Sequence, residues 1–354
     1  MKKILILVLV LALLPLSLLA CSGGRNADVH VFYYTYSDTY ISSVRASLNT
    51  QLDAAGVTHQ DYDGGGNQTT QTEQIRTAIT KGARVILVNI VNTGSDDAAN
   101  EIVELAKGAN VSLVFFNREV SDSVVNGYDK CAFIGTRAEE AGILQGEMIG
   151  EYLVSNYAAA DLNGDGVISY ILFKGEEGNN EAIFRTKFSV EEANKRLDEA
   201  KKPALRFYDA ANANGYLVDK NGQWSAAAAN EYMTTALTTH NAANNNMIEL
   251  VICNNDGMAE GAISALNAAG YNKGAGTPTI PVFGVDATEA AQNLIKEGKM
   301  RGTVKQDAAG MAKALVHLAK NALSEGTDLL ADTGAFTIDE GTRKIRIHYE
   351  KYLG

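Results

Sequence analysis

The sequence predicts an α/β protein built from two similar three-layer αβα lobes, each containing a mainly parallel sheet. Short apolar runs alternate with longer amphipathic runs, which is the pattern of successive βαβ units. The apolar runs lack polar alternation, which is typical of strands that are buried on both faces of a sheet. The series restarts near Gly135, and this second start predicts a second lobe with a cleft between the two.

The elements of the first series are one strand and helix, followed by a second strand, a second helix and a third strand. In chain order they are Val29–Tyr34, 41–55, Val85–Ile90, 96–107 and Ser112–Phe116. Right-handed crossovers between these strands place helices on both faces of the sheet.

The second series begins with a helix and continues as alternating strands and helices. In chain order the elements are 139–153, 168–173, 181–199, 205–208, 226–239, 249–253, 257–268 and 282–285. No repeat of 20–50 residues and no low-complexity tract interrupts either series.

The composition is that of a globular protein of about two domains. The chain has 354 residues, 46% of them hydrophobic, and a formal net charge of −11. A surface this acidic repels phosphate backbones, which argues against nucleic acid as a partner. Three cysteines are too few for a disulfide framework, and we expect Cys131 and Cys253 to be free thiols.

The N-terminus predicts export from the cell. Two lysines precede an uncharged apolar run, so residues 1–20 form a predicted signal peptide that is too short for a stable membrane span. The segment ends in Leu-Leu-Ala-Cys and resembles a bacterial lipobox, in which Cys21 is lipidated and becomes the new N-terminus. Residues 21–27 then form a polar tether that holds the protein on a membrane surface. The alternative is a plain signal peptide followed by an incidental cysteine.

Polar residues with planar groups follow almost every predicted strand. Ligands of open α/β sheets bind beyond the carboxyl ends of the strands, so these residues are the candidate binding site. Amides, carboxylates and guanidinium groups form paired, directional hydrogen bonds that suit vicinal hydroxyls. The alternatives are that the Asp and Asn residues only cap helices, and that Glu181 and Arg185 form a surface ion pair. The candidates are Asp38, Asn117, Asn179, Glu181, Arg185, Asn255, Asp286 and Gln306.

Two aromatic residues stand near the same predicted cleft. Trp224 is the only tryptophan and follows a polar loop, whereas a core tryptophan more often lies inside an apolar run. Tyr40 stands at the mouth of the first lobe. Aromatic faces from opposite lobes would cover the apolar C–H faces of a pyranose. For Tyr40 the alternative is an ordinary aromatic residue at the start of a helix.

A short loop has the spacing of a calcium site. Residues 161–166 read DLNGDG, which matches the pattern D-x-N-x-D-G. Side-chain oxygens of Asp161, Asn163 and Asp165, the Val167 carbonyl and the Ser169 hydroxyl would converge on one Ca²⁺ ion. Position twelve is a leucine where an EF-hand needs glutamate, so a carboxylate must come from elsewhere. The alternative is a plain Asx-rich turn.

Taken together, these motifs resemble the periplasmic galactose/glucose-binding proteins of ABC importers, from about residue 28 to residue 349. Each sequence run on which the resemblance rests is weak evidence by itself, but the set of runs together is specific to that family. The runs are Leu113–Asn117, Asp161–Gly166, Lys174–Gly178, Asn254–Asp256 and Pro281–Ala287.

The resemblance implies two type I lobes joined by three crossings, near residues 135–136, 306–307 and 346. The first lobe would comprise 28–135 plus 307–345, and the second 136–306 plus 346–354. It also implies that Glu249 is the missing carboxylate of the calcium loop. The residues that match sugar-binding positions of the family are Asp38, Asn117, Arg185, Trp224, Asn255 and Asp286.

Several positions depart from the family pattern. Asn179 replaces a histidine, Glu181 an aspartate, Gln306 an asparagine, and Tyr40 a phenylalanine. Ser169 likewise replaces a glutamine ligand of the metal. One misaligned polar contact costs about 1–3 kcal/mol, so these substitutions bear on which sugar binds best.

The predicted function is that of a non-enzymatic, extracytoplasmic lipoprotein that binds a monosaccharide in the cleft between its lobes. D-galactose or D-glucose is the first choice, and the resemblance implies delivery to an ABC permease and contact with a chemoreceptor by a monomeric protein. The alternatives are a secreted glycosidase, which would use Glu176 and Glu177, and a sugar sensor that has no permease. A transcription regulator would need a DNA-binding segment where the signal peptide stands.

Overall fold

The computed structural model describes residues 27–354, so the predicted signal peptide and Cys21 lie outside the described residues. The helices and strands that it contains alternate through most of the chain. The strands are β1 Val29–Tyr33, β2 His59–Asp63, β3 Val85–Val88, β4 Ser112–Phe116, β5 Cys131–Gly135, β6 Ser169–Lys174, β7 Arg206–Phe207, β8 Leu217–Val218, β9 Leu250–Cys253, β10 Val282–Asp286, β11 Gly302–Gln306, β12 Thr337–Ile338, β13 Lys344–Arg346 and β14 Tyr349–Tyr352. The helices are α1 Thr39–Ala54, α2 Gln68–Thr80, α3 Asp97–Gly108, α4 Asp122–Asn126, α5 Ala138–Ala160, α6 Asn180–Glu199, α7 Ala226–Thr239, α8 Asp256–Ala268, α9 Glu289–Lys296 and α10 Ala308–Leu323, with a 3₁₀ turn at Ala242–Asn244.

Two seven-stranded sheets form the centres of two α/β lobes, as the sequence predicts. The first sheet has the order β12-β13-β5-β4-β3-β1-β2, and the second β14-β11-β10-β9-β6-β7, with β8 paired to β6. Among the strand pairs within residues 27–354, only β12–β13 and β11–β14 are antiparallel. Strands β1, β3, β4 and β5 are buried along their whole length, as expected for a sheet covered on both faces.

The chain passes between the two sheets three times. It leaves the first sheet after β5 and enters α5, and it leaves the second sheet after β11 and enters α10. The third passage joins β13 of the first sheet to β14 of the second, at residues 347–348. Arg346 is the last residue of β13, so this passage lies just after the predicted position. Short connections of this kind are where hinge closure takes place in two-lobe proteins.

Three glycines on α5 bring it against α6, the helix that contributes Glu181 and Arg185 to the site. Gly142, Gly146 and Gly150 are spaced four residues apart and therefore lie on one face. A Cβ at Gly142 would lie 2.5 Å from a carbonyl oxygen of α6, and one at Gly146 2.7 Å from another. Any larger residue would push α6 away from the rest of the second lobe.

Some elements differ from the predicted ones. The sequence analysis predicts neither β2 nor α2. The β2 sequence HQDYD is polar and half-exposed at the sheet edge, so it lacks the apolar run by which a strand is identified. α5 runs seven residues beyond the predicted end at residue 153, across a break in helical geometry at Asn156, where φ is −129°. No helix among residues 27–354 is long and apolar enough to cross a membrane.

Candidate functional site

A cavity lies between the carboxyl ends of the two sheets, which is where open α/β sheets bind their ligands. All ten sequence-predicted ligand residues line it. They are joined by three that the sequence analysis did not select. The complete lining is Tyr34, Asp38, Tyr40, Ile41, Asn117, Arg118, Asn179, Glu181, Arg185, Trp224, Asn255, Asp286 and Gln306.

The first-lobe wall of the cavity is held by hydrogen bonds within its own lobe. Asp38 caps α1: its Oδ1 accepts from the Ile41 backbone N–H at 2.8 Å, and its Oδ2 accepts from the Tyr34 hydroxyl at 2.7 Å. Asn117 follows β4 with a left-handed φ of 61°. Its Oδ1 accepts from Asn89 Nδ2 at 3.2 Å. These bonds fix the orientation of Asp38 and Asn117, two residues predicted to bind sugar, before a ligand enters the cavity.

Two asparagines of the second lobe are also helix caps. Asn179 Oδ1 accepts from the Ala182 N–H at 3.1 Å at the start of α6, and Asn255 Oδ1 accepts from the Met258 N–H at 2.9 Å at the start of α8. Their amide groups donate elsewhere: Asn255 Nδ2 bonds the Trp224 carbonyl at 3.2 Å. The helix-cap interpretation is therefore correct for these residues, and the same residues line the cavity.

Arg185 is the most extensively bonded side chain of the second-lobe wall. It is 3% exposed and donates to the Asn254 carbonyl at 2.8 Å, to Gln306 Oε1 at 3.2 Å and to the Tyr349 hydroxyl at 2.9 Å. Asp286 Oδ1 lies 4.0 Å from it. Arg185 Nε and Gln306 Nε2 are buried and have no hydrogen-bond partner within residues 27–354, so two donor atoms remain for a ligand.

Glu181 supplies the complementary acceptors. It is 4% exposed, and neither carboxylate oxygen has a hydrogen-bond partner among the described residues. Burial raises the pKa of Glu181 to about 7, while the nearby Arg185 guanidinium opposes the shift. Because both residues are buried at the cavity, the alternative of a surface ion pair is wrong. A buried group without a partner costs about 1–3 kcal/mol, which a ligand that donates hydrogen bonds would offset.

Trp224 is held in a strained backbone conformation beside the cavity. Its φ is 56°, in the left-handed region that a bulky residue adopts only when its surroundings enforce it. Gly175 lies under the ring, where a Cβ would come within 2.0 Å of the indole. Asp219 fixes the next residue: its Oδ2 accepts from the Ser225 N–H at 3.0 Å and from the Ser225 hydroxyl at 2.8 Å.

Sequence reasoning missed Arg118, Tyr34 and Asp219 as parts of this site. Arg118 directly follows Asn117 at a strand end, so its position was a usable signal. Tyr34 ends an apolar run and looked like a core residue. Asp219 lies in a long polar loop, and no local pattern distinguishes it from the other polar residues there.

The predicted calcium loop folds into successive Asx turns between α5 and β6. Asn163 Oδ1 accepts from the Asp165 N–H at 2.9 Å, and Asp165 Oδ1 accepts from the Val167 N–H at 3.0 Å. Asp161 Oδ2 accepts from the Gly166 N–H at 2.9 Å. Asp161 Oδ1 is buried and has no hydrogen-bond partner in the part of the chain that the structure describes, so its lone pairs are available to a cation.

Glu249 closes this loop from the start of β9. Its Oε1 accepts from the Leu162 and Asn163 N–H groups at 2.7 and 3.2 Å, and its Oε2 accepts from the Ser169 N–H at 2.9 Å. Burial raises the pKa of Glu249, against these hydrogen bonds. The Ser169 hydroxyl donates to the Met247 carbonyl. Glu249 is thus adjacent to the loop as the resemblance implies, with its oxygens already accepting backbone N–H groups.

The fit of the loop to a calcium ion is partial. Asp165 Oδ2 forms an ion pair of 2.6 Å with Arg206, and that cation already neutralises one of the predicted ligands. Across residues 27–354, no group of three or more His, Cys, Asp or Glu side chains is arranged to hold a metal ion. The donor chemistry suits Ca²⁺, but Asp165 and Glu249 are both engaged with other groups.

The hinged pair of α/β lobes, with a polar cavity at the strand ends, defines a two-lobe solute-binding protein. The chain belongs to the periplasmic binding protein domain family, whose profile matches residues 29–328. A D-galactose/methyl-galactoside binding periplasmic protein, MglB of Haemophilus influenzae, is 32% identical over 327 residues, which are 92% of this chain and 90% of that protein. The D-xylose-binding periplasmic protein of Escherichia coli is 25% identical and covers 79% of this chain, with 72% of its own length matched.

Solved structures share the fold. An ABC transporter solute binding protein from Bacillus halodurans with bound myo-inositol matches with a TM-score of 0.67 and 24% identity, over 93% of this chain and 96% of that one. One from Clostridium phytofermentans with bound β-D-glucose matches with a TM-score of 0.69 and 19% identity, over 92% and 93%. The family and fold are those of extracytoplasmic transport proteins rather than enzymes.

Proposed function

We propose that this protein binds one neutral monosaccharide in the interlobe cavity and releases it chemically unchanged. The observation that carries the proposal is the set of unpartnered groups in the cavity: two acceptor oxygens on Glu181 and donors on Arg185 and Gln306. A hydroxyl both donates and accepts, so a polyol satisfies all of them at once. The Trp224 ring supplies an apolar face beside these polar edges.

D-galactose and D-glucose are the first candidates. The similarity to a galactoside-binding relative over most of the chain supports them. Glu181 and Gln306 are longer than the residues that the resemblance implies at these positions, so myo-inositol and D-xylose belong in the same panel. The experiment is a titration of Trp224 emission, which is unambiguous because the chain has one tryptophan.

We expect saturable changes in emission at micromolar concentrations of D-galactose or D-glucose. The matched control is sorbitol, an open-chain polyol with similar hydroxyls and no ring face. A flat titration with every hexose, pentose and inositol would contradict the proposal. Incubation with labelled sugar tests the enzyme alternative, since a glycosidase would release products from glycosides.

We propose further that the protein is tethered to the outer face of a bacterial membrane through a lipidated Cys21 and supplies an ABC permease. Family membership supports the extracytoplasmic location. Incorporation of labelled fatty acid into the parent chain and not into a Cys21→Ser variant tests the anchor.

Loss of sugar uptake on deletion of the protein separates a transport receptor from a stand-alone sensor. Loss of chemotaxis toward the sugar tests contact with a chemoreceptor. Gel filtration of the soluble domain tests the monomeric state.

We propose that the loop 161–169, together with Glu249, binds a structural Ca²⁺ ion. The unpartnered Asp161 Oδ1 and the oxygen-only donor set support this. Ca²⁺ should raise the melting temperature of the parent protein relative to chelator, because an ion that binds only the folded state stabilises it. Glu249→Ala should lose that gain, whereas Glu192→Ala, which removes a surface partner of Lys195, should keep it. Equal melting curves of the parent with Ca²⁺ and with chelator would remove the proposal.

A further inference from the structure

The two lobes are joined beside the cavity by an ion pair that belongs to neither lobe alone. Arg118 follows β4 of the first sheet, and Glu176 follows β6 of the second. An Arg118 terminal nitrogen, Nη2, lies 2.8 Å from Glu176 Oε2, with side-chain exposures of 5% and 22%. Because the two residues lie on opposite sides of the hinge, this contact exists only when the lobes are closed.

Arg118 is fixed by contacts within its own lobe. The same Arg118 nitrogen donates to the Val91 carbonyl at 2.7 Å, and the guanidinium carbon lies 4.4 Å from the centre of the Tyr34 ring. Both of these contacts are within the first lobe. The guanidinium is therefore aimed across the cleft, and Glu176 does not have to capture a freely moving side chain.

Glu176 also reaches the aromatic residue of the site. The Trp224 indole Nε1 lies 3.4 Å from Glu176 Oε2, the same oxygen that accepts from Arg118. One carboxylate oxygen thus bonds the first lobe and the ring that faces the ligand. Opening the cleft breaks the first bond and frees the carboxylate to turn away from the second.

We propose that Glu176 is a positioning residue that joins closure of the lobes to the placement of the Trp224 ring, through its ion pair with Arg118. The proposal rests on the proposed sugar-binding function and adds the group that sets how long the sugar stays bound. No ligand atom takes part in the contact. The pair therefore stabilises the closed state for every ligand and slows release more than it speeds capture.

The adjacent residue provides a matched control. Glu177 accepts from Lys174 at 2.6 Å and from the Tyr216 hydroxyl at 2.9 Å, and both partners belong to the second lobe. Neither Glu176 nor Glu177 is among the residues that line the cavity. Glu176→Gln and Glu177→Gln each remove one negative charge from the same loop, and only the first removes a contact between the lobes.

The test is stopped-flow measurement of Trp224 emission, with D-galactose and D-glucose as probes in turn. Glu176→Gln should raise the dissociation rate constant by about three- to tenfold and change the association rate constant by less than about twofold. Raising the salt concentration should speed release from the parent protein, because salt weakens the attraction of the partly buried Arg118–Glu176 pair, and should have less effect on Glu176→Gln. Glu177→Gln should release sugar at the parent rate. Unchanged release from Glu176→Gln, or equal acceleration in both variants, would overturn the proposal.

A second readout separates this proposal from the sugar-binding function. If the parent protein binds no sugar of the panel, the proposed function fails, and small-angle X-ray scattering of the ligand-free protein decides the role of the pair. High salt should then increase the radius of gyration of the parent protein and leave that of Glu176→Gln unchanged. The same response in both proteins would overturn the proposal by this route.

Discussion

The two walls of the cavity are built on different principles. In the first lobe, Asp38 and Asn117 are already hydrogen-bonded to their neighbours, and Arg118 Nε is the one lining atom there that is buried without a partner among the described residues. In the second lobe, four such atoms face the cavity, on Glu181, Arg185 and Gln306. The first wall is therefore a preorganised frame, and the second is the surface whose hydrogen bonds the ligand must complete.

This difference indicates which wall of the cavity determines the selectivity for one sugar over another. The groups of the first wall are already held in place, so they lose little entropy when a ligand binds, and they bind any sugar that matches them. Unpartnered buried groups penalise every ligand that fails to satisfy them, so they discriminate between epimers. The comparison predicts that substitutions in the second wall change affinity more than those in the first.

The largest effect should come from Arg185→Met. It removes the cation beside Asp286 and three hydrogen bonds. The buried groups that are left unpaired lower the stability of the folded cavity by about 3–5 kcal/mol. Isothermal titration calorimetry should detect no sugar binding. The control is Arg196→Met on the same helix, which removes an ion pair with Glu147 outside the cavity and should retain parent affinity. Sugar binding by Arg185→Met at parent affinity would show that the second wall does not recognise the ligand.

Glu181→Gln should weaken sugar binding by about 1–3 kcal/mol, because the amide replaces one acceptor oxygen by a donor where the ligand must donate. The variant also has a signature in pH. The pKa of Glu181 rises from 4.5 to about 7 on folding, so between these values the folded state binds more protons than the unfolded chain. The free energy of unfolding of the parent therefore falls as pH rises through this window, by up to about 3 kcal/mol.

Denaturant unfolding of both proteins between pH 4.5 and 7 measures this contribution. Glu181→Gln should lose less stability across the window than the parent. Asp256, whose pKa burial also raises to about 7, titrates in both proteins and cancels in the comparison. Parallel pH profiles would mean that Glu181 is not desolvated as the cavity geometry implies.

Asp219→Ala should have a smaller effect, since Asp219 acts on the ligand only through the backbone of Trp224. It removes the bonds that hold Ser225, and we expect about a tenfold loss of sugar affinity with a red shift of Trp224 emission. Asp209→Ala is the control, because Asp209 accepts from the Ala211 N–H in a turn of the same long loop. Equal emission spectra for parent and Asp219→Ala would remove the positioning role of Asp219.

The smallest effect should come from the first wall. Among the described residues, the Tyr40 hydroxyl donates only to Met311 Sδ, at 3.8 Å, and sulfur is a weak acceptor. Tyr40→Phe keeps the ring and should weaken sugar binding by at most about 1 kcal/mol, measured by calorimetry. A loss of affinity as large as that of Glu181→Gln would contradict the conclusion that the first wall is a preorganised frame and the second wall discriminates between sugars.

The sequence predicted the parts of this site that follow local rules. Polar residues at the ends of buried strands were identifiable because parallel strands end at one edge of a sheet, and all ten predicted residues line the cavity. Arg118 stands at a strand end, which was a usable signal, but its pairing with Glu176 depends on how the two lobes meet, which no local pattern encodes. Asp219 acts through a loop with no periodicity, and β2 is a polar edge strand without an apolar run. Metal binding by the loop is still a prediction, because Arg206 and the backbone N–H groups that engage its carboxylates come from tertiary contacts.

The most direct test of the central claim is calorimetry of the parent protein and Arg185→Met with D-galactose, D-glucose, D-xylose and myo-inositol. The account predicts binding of one molecule of at least one of these ligands per parent chain, and none to Arg185→Met. Absence of binding heat with every ligand and no shift in melting temperature, or equal affinity in the two proteins, would contradict it.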